Sequence, residues 1–150
     1  MKIVLQRVKE AKVEIEGKIK GQIGNGYLLL VGVVDEDTEE IADKMMEKIS
    51  RLRLFQDSEG KTNLSISEVD GEVLIISQFT LCADCRKGNR PSFINAGNPV
   101  MAEKLYNHIL DKSKDLFRNI ECGEFGADMK VSLVNDGPFT LVLDSKEILK

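Results

Sequence analysis

Tyr27-Leu28-Leu29-Leu30-Val31-Gly32-Val33-Val34 is an unbroken apolar run, and its reading decides the fold. Eight residues are too few for a buried helix of ordinary length, and a solvent-facing strand would alternate. The run therefore reads as a strand covered on both faces. Upstream, residues 2–8 read as a strand. In residues 11–16, Val13 and Ile15 alternate with Lys12, Glu14 and Glu16, the pattern of a half-buried strand. Gly17 and Gly24-Asn25-Gly26 mark turns around a short strand at 18–23. Downstream, Ile41, Met45, Ile49 and Leu52 form one apolar helix face, with Asp37 as the expected cap and Glu40 three residues on. A strand at about 72–81 follows, then a polar loop over 82–97. A second helix opens at Asn98-Pro99, a cap followed by proline at the first helical position. Closing strands at 129–134 and 139–144 flank Asn135-Asp136-Gly137-Pro138. The order βββαβαββ predicts a single α+β domain over residues 1–150, with a mostly antiparallel or mixed, barrel-like β-sheet and two main helices.

The composition narrows the function classes. With 150 residues and 42% hydrophobic content the chain suits one packed core, and no apolar run is long enough to span a bilayer. The first residues carry no secretory-signal pattern, so a cytoplasmic protein with no membrane partner is expected. Lys and Arg total 21 against 25 Asp and Glu, a net charge of −4. That balance argues against gripping DNA and confines any RNA contact to a local patch.

Each candidate chemistry has a plainer alternative. Cys82-Ala83-Asp84-Cys85 has redox spacing, but Gly88 and Pro91 follow where a helix should lower the thiol pKa. His108 and Cys122 stand at no standard zinc spacing from that pair. A thiol redox or metal-binding protein using Cys82 and Cys85 is thus a competing reading, and incidental thiols the plainer one. His108 is the only histidine and lies mid-helix, a boundary position. Gly21, Gly24 and Gly26 precede a strand, so the helix dipole of a phosphate loop is missing. Arg86, Lys87 and Arg90 form the densest positive cluster; their value depends on what neighbours them. Two segments are odd for a core. Ser77-Gln78-Phe79-Thr80 ends an apolar strand with polar side chains, and Asn135 to Thr140 puts an unusual turn between strands. Taken alone, each reads as structural, and the Gly137-Pro138 bond as trans.

At these two segments the chain resembles the D-aminoacyl-tRNA deacylases. The matches are Ser77-Gln78-Phe79-Thr80-Leu81 and Asn135-Asp136-Gly137-Pro138-Phe139-Thr140. Further matches run in order along the chain: Gln6-Arg7-Val8, Leu52-Arg53-Leu54-Phe55, Asn63-Leu64-Ser65, Arg86 to Phe93, and Phe125 to Met129. The resemblance implies a hydrolase that frees D-amino acids from tRNA, with no cofactor, acting at the acceptor 3′ end. It implies a homodimer in which a cis Gly137-Pro138 reaches into the partner's pocket beside Ser77, Gln78, Phe79 and Thr80. Backbone N–H groups around Gln78–Phe79 are the expected oxyanion donors, with the tRNA's own ribose 2′-hydroxyl helping to activate water. Thr80 is the side-chain alternative as nucleophile. Gly137 and Pro138 would form a main-chain wall that rejects L-amino acids and admits glycine. Arg86, Lys87, Arg90 and Asn135 are assigned to substrate binding, and Phe79 or Phe139 either stacks on the terminal adenine or belongs to the core. A non-enzymatic, dimeric RNA-binding module is the second competing reading; the absence of an aromatic stacking ladder counts against it.

Overall fold

A computed structural model describes the whole chain, Met1–Lys150. Its spine is a single long strand, β1 (Lys2–Ile15), where two were expected. The stretch between them, Lys9 and Glu10, is carried within the strand, with a register shift against the last strand between Val8 and Glu10 accommodating it. One edge of β1 pairs antiparallel with β2 (Lys18–Ile23) through its second half and with β3 (Gly26–Gly32) through its first. The sheet then continues in parallel through β6 (Glu72–Ser77) to β7 (Ile120–Cys122). Along its other edge β1 pairs with β8 (Lys130–Asp144). β8 replaces the two expected closing strands, because both of its halves bond to the same neighbour and 135–138 is no hairpin. The result is a mixed, nearly closed, barrel-like sheet.

The apolar run that became β3 is buried on both faces, as its composition requires. Tyr27, Leu29 and Val31 point into the larger core with helices α1 (Glu39–Arg51) and α2 (Pro99–Leu116), while Leu28 packs with Val8, Val13, Leu74 and Ile76 on the other face. Asp37 does not cap α1. Its carboxylate is buried against the Met1 ammonium at 2.5 Å and accepts the Val34 N–H, so Thr38 caps instead, accepting from the Ile41 N–H. Asn98 and Pro99 open α2 as expected, with the Asn98 side chain accepting from the Val100 N–H. Four elements fall outside the expected order: β4 (Arg53–Gln56) and β5 (Thr62–Ser65), which form a small hairpin, the three-residue β7, and the short α3 (Ser145–Ile148). No helix is long and apolar enough to cross a membrane.

Candidate functional site

β6 stops at Ser77, short of the expected 81, because the chain turns there. The Gln78 N–H donates to the Val31 carbonyl at 2.7 Å, and a 3-10 turn follows over Phe79–Cys82. Gly32 lets that turn sit directly on β3. A Cβ at this position would lie 3.0 Å from Leu81 Cβ and 3.1 Å from the Gln78 carbonyl oxygen. The Gln78 amide donates to Thr80 Oγ1 at 2.6 Å. Phe79, held out by the turn, is 55% exposed and meets Phe93 edge-on at 5.1 Å between ring centres. Together with Ser77, Phe125 and the α2 start at Gly97–Pro99 they line a cleft of about 570 Å³, the size of a small-molecule site. Phe93 and Phe125 lay inside matched segments but carried no polar signal, so no role was assigned to them from the sequence.

The second motif is built from main chain. Gln6 pairs with Thr140 and Val8 with Asn135, so residues 136–139 bulge out of the ladder opposite Arg7. Asn135 closes the bulge, accepting from the Phe139 N–H and donating to Thr140 Oγ1, both at 2.8 Å. Arg7 holds it from below. Its Nε donates to the Asp136 carbonyl at 3.0 Å, its Nη1 to the Leu54 carbonyl at 2.6 Å, and its guanidinium lies 4.7 Å over the Phe139 ring. Phe139 is therefore half-buried packing under the bulge. Gly137 has φ +142°, and a Cβ there would stand 3.2 Å from Arg7 Nη2. The Gly137–Pro138 bond is cis, as the family resemblance implied and against the trans default, and both residues are exposed. Arg7 is 6% exposed. Its place on the inward side of the strand alternation, in line with Ile3 and Leu5, was the missed signal.

One chain does not bring the motifs together. Ser77 is level with Val31, Val31 with Ile3 and Ile3 with Leu143, whereas the bulge stands opposite Arg7. That separation is about 14 Å along the strands and three strand spacings of about 4.8 Å across them.

The remaining candidates lie elsewhere. Arg86 is bound in a bidentate pair to Asp84, and this guanidinium holds the Asp84 carboxyl down at about 2. Lys87 and Arg90 are exposed on the same loop. Cys82 is buried with its thiol toward the Val33 carbonyl, and burial pushes its pKa up; Cys85 is exposed. His108 and Cys122 do not converge on that pair, and no three His, Cys, Asp or Glu side chains are arranged to hold a metal ion. His108 is instead tied to Asp43 of α1 at 2.7 Å, the boundary role expected of it.

The family model described as D-Tyr-tRNA(Tyr) deacylase matches residues 4–144. Proteins of Clostridium kluyveri and Thermosipho africanus named D-aminoacyl-tRNA deacylase are each 53% identical over 148 residues, 99% of this chain and 99% of theirs. A protein of the same name from Bacillus cytotoxicus is 54% identical over 97% of this chain and 100% of its own. The solved structure of a c-Myc DNA unwinding element binding protein superposes with a TM-score of 0.90 at 40% identity, covering 96% of this chain and 98% of that one. A probable eukaryotic D-amino acid tRNA deacylase shares the fold, with a TM-score of 0.81 at 16% identity over 95% and 97% of the two chains.

Proposed function

As a member of the D-Tyr-tRNA(Tyr) deacylase family the chain is a tRNA-editing ester hydrolase, and we propose that it acts in the cytoplasm as a homodimer, cleaving D-aminoacyl-tRNA and glycyl-tRNA. The observation that carries this reading is the separation of the two motifs. An aromatic-rimmed cleft is lined by Ser77 and Phe79 of the first motif, and a locked main-chain bulge lies too far away to reach it. A second copy supplies the missing half of each site.

The ester carbonyl is attacked by water, and negative charge develops on its oxygen. Gln78 spends its N–H on Val31, so the donors for that oxyanion move one residue on, to Phe79 and Thr80. The opening N–H groups of a helical turn have no acceptor within it. Thr80 is a poor nucleophile here. Its hydroxyl accepts from the Gln78 amide, and no histidine or carboxylate bonds to it to take its proton. The terminal ribose 2′-hydroxyl of the tRNA activates the water instead. Handedness is read by the partner's bulge. Glycine lets the main chain come close, proline fixes φ, and an L side chain collides with the wall while a D side chain points away. A soft apolar pocket, which separates one methylene by only roughly 10–200-fold, does not reach the needed selectivity. Glycine has nothing to collide and is cleaved. Lys87 and Arg90 contact the acceptor-end backbone, with Arg86 contributing only when Asp84 releases it.

Deacylation of D-tyrosyl-tRNA against L-tyrosyl-tRNA tests the reading: hydrolysis of the D ester alone is expected, and equal cleavage of both contradicts it. Glycyl-tRNA left intact while D esters are cut removes the steric wall. Replacing Cys82 and Cys85 together by Ser leaves deacylation in place, and its loss would favour the thiol reading.

A further inference from the structure

A second cleft, of about 670 Å³, opens on the other side of the Phe79–Cys82 turn. The two clefts share Asp35 and are divided by one ridge. Val33, Phe79 and Phe93 face the first, while Val34, Ile94 and, at the far end of the turn, Cys82 line the second. Lys2 from β1 and Lys146 from α3 stand in its wall, both exposed and neither paired with a carboxylate. The Lys2 charge reaches the floor, where it pulls the Cys82 thiol against the upward push of burial. Of the acids lining the cleft, Asp35 accepts the Asn98 N–H and Asp84 holds Arg86, while Glu36 is exposed and unpaired. Asp144, next to Lys2 in the sheet, accepts the Lys146 N–H through one oxygen and does not line the cleft.

Two ammonium groups without a carboxylate partner, Lys2 and Lys146, facing the carboxylates of Asp35 and Glu36, which no cation pairs, suit neither a bare anion nor a cation. They suit a ribose-phosphate, whose phosphate oxygens only accept and whose 2′-hydroxyl also donates. We propose that this second cleft holds the sugar-phosphate of the nucleotide preceding the terminal one in tRNA, while the aminoacyl ester lies in the first cleft. Lys2 and Lys146 take the phosphate, and Glu36 accepts from the 2′-hydroxyl. The ridge separates consecutive nucleotides. This inference rests on the deacylase reading above.

The test compares D-tyrosyl-tRNA with D-tyrosyl-adenosine, a minimal ester that ends before the proposed phosphate. In the Lys2→Gln, Lys146→Gln double variant, the ratio of KM for the tRNA to KM for the minimal ester rises about tenfold. The salt dependence of kcat/KM for the tRNA flattens by about 0.7 per lost phosphate contact. A tRNA made 2′-deoxy at the penultimate nucleotide raises KM several-fold in the unaltered protein and has no further effect in Glu36→Ala, which lacks the acceptor. An unchanged KM ratio and an unchanged salt slope overturn the proposal. Should the unaltered protein cleave neither ester, the deacylase reading has failed. Binding of a CCA-ended RNA oligonucleotide, followed by fluorescence anisotropy, then decides for the cleft: about tenfold weaker binding in the double variant supports it, and equal binding ends it.

Discussion

The turn at Ser77 to Thr80 and the bulge at Asn135 to Thr140 are both polar interruptions of apolar strands, yet they are built in opposite ways. In the first, side chains stand free: Phe79 is 55% exposed, and the Gln78–Thr80 contact is a local one on the surface. In the second, side chains turn inward to hold main chain, with Asn135, Thr140 and a buried Arg7 fixing the backbone on either side of Gly137 and Pro138. A surface that must receive many different side chains needs open, adaptable contacts. A surface that must refuse one geometry needs atoms that do not yield. If the bulge is the wall proposed above, selectivity belongs to the backbone, and substitution of its side-chain supports should be felt more than substitution beside the reacting bond.

The sharpest way to break that contrast is Arg7→Ala. It strips two carbonyls of a charged donor and leaves a void under Phe139, so a loss of about 3 kcal/mol in stability is expected by chemical denaturation. The surviving fold should lose D-over-L discrimination as the bulge loosens. Arg7→Lys, keeping the charge without the two-armed reach, should fall between. Gly137→Ala is next. Its φ of +142° disfavours a Cβ and Arg7 blocks the space, so a cost above about 1 kcal/mol is expected, together with a fall in kcat for D esters. Thr80→Ala should keep deacylation within about tenfold of the unaltered rate, less than a lost general base or nucleophile costs. A drop of several thousandfold would restore Thr80 as nucleophile. The smallest effect concerns the loop after the turn, secured at its surface by Arg86 and Asp84. Asp84 titrates at about 2, below its ordinary range. That pairing contributes at neutral pH and is lost as pH falls through about 2. Following the Asp84 carboxyl by NMR, Arg86→Ala should move it up toward the usual aspartate range.

Much of this architecture was readable from residue pattern. Tyr27 to Val34 declared a doubly covered strand, Ile41 to Leu52 a helix face, and Asn98-Pro99 a helix start. What escaped was set by contacts distant in the chain. Asp37 looks like a cap until the Met1 ammonium claims it 36 residues away. The closing segments look like a hairpin because nothing local shows that both bond to β1. The hairpin at 53–65 and the three residues of β7 are too short to carry a period. Both motifs stood out as polar intrusions, but Arg7, Phe93 and Phe125 did not. Their roles come from what they touch: two carbonyls for Arg7, Phe79 for Phe93, and the cleft for Phe125.

Complementation between variants asks most directly whether one copy's turn works against another copy's wall. A variant disabled at the Phe79–Thr80 turn and a variant disabled at Gly137–Pro138, each inactive alone, are mixed under conditions that let subunits exchange. Random pairing in a two-fold dimer leaves one intact site in half of the dimers, so about a quarter of the unaltered activity should return. Mixing that restores nothing, with exchange verified by mass, would mean that both motifs must reside in the same chain.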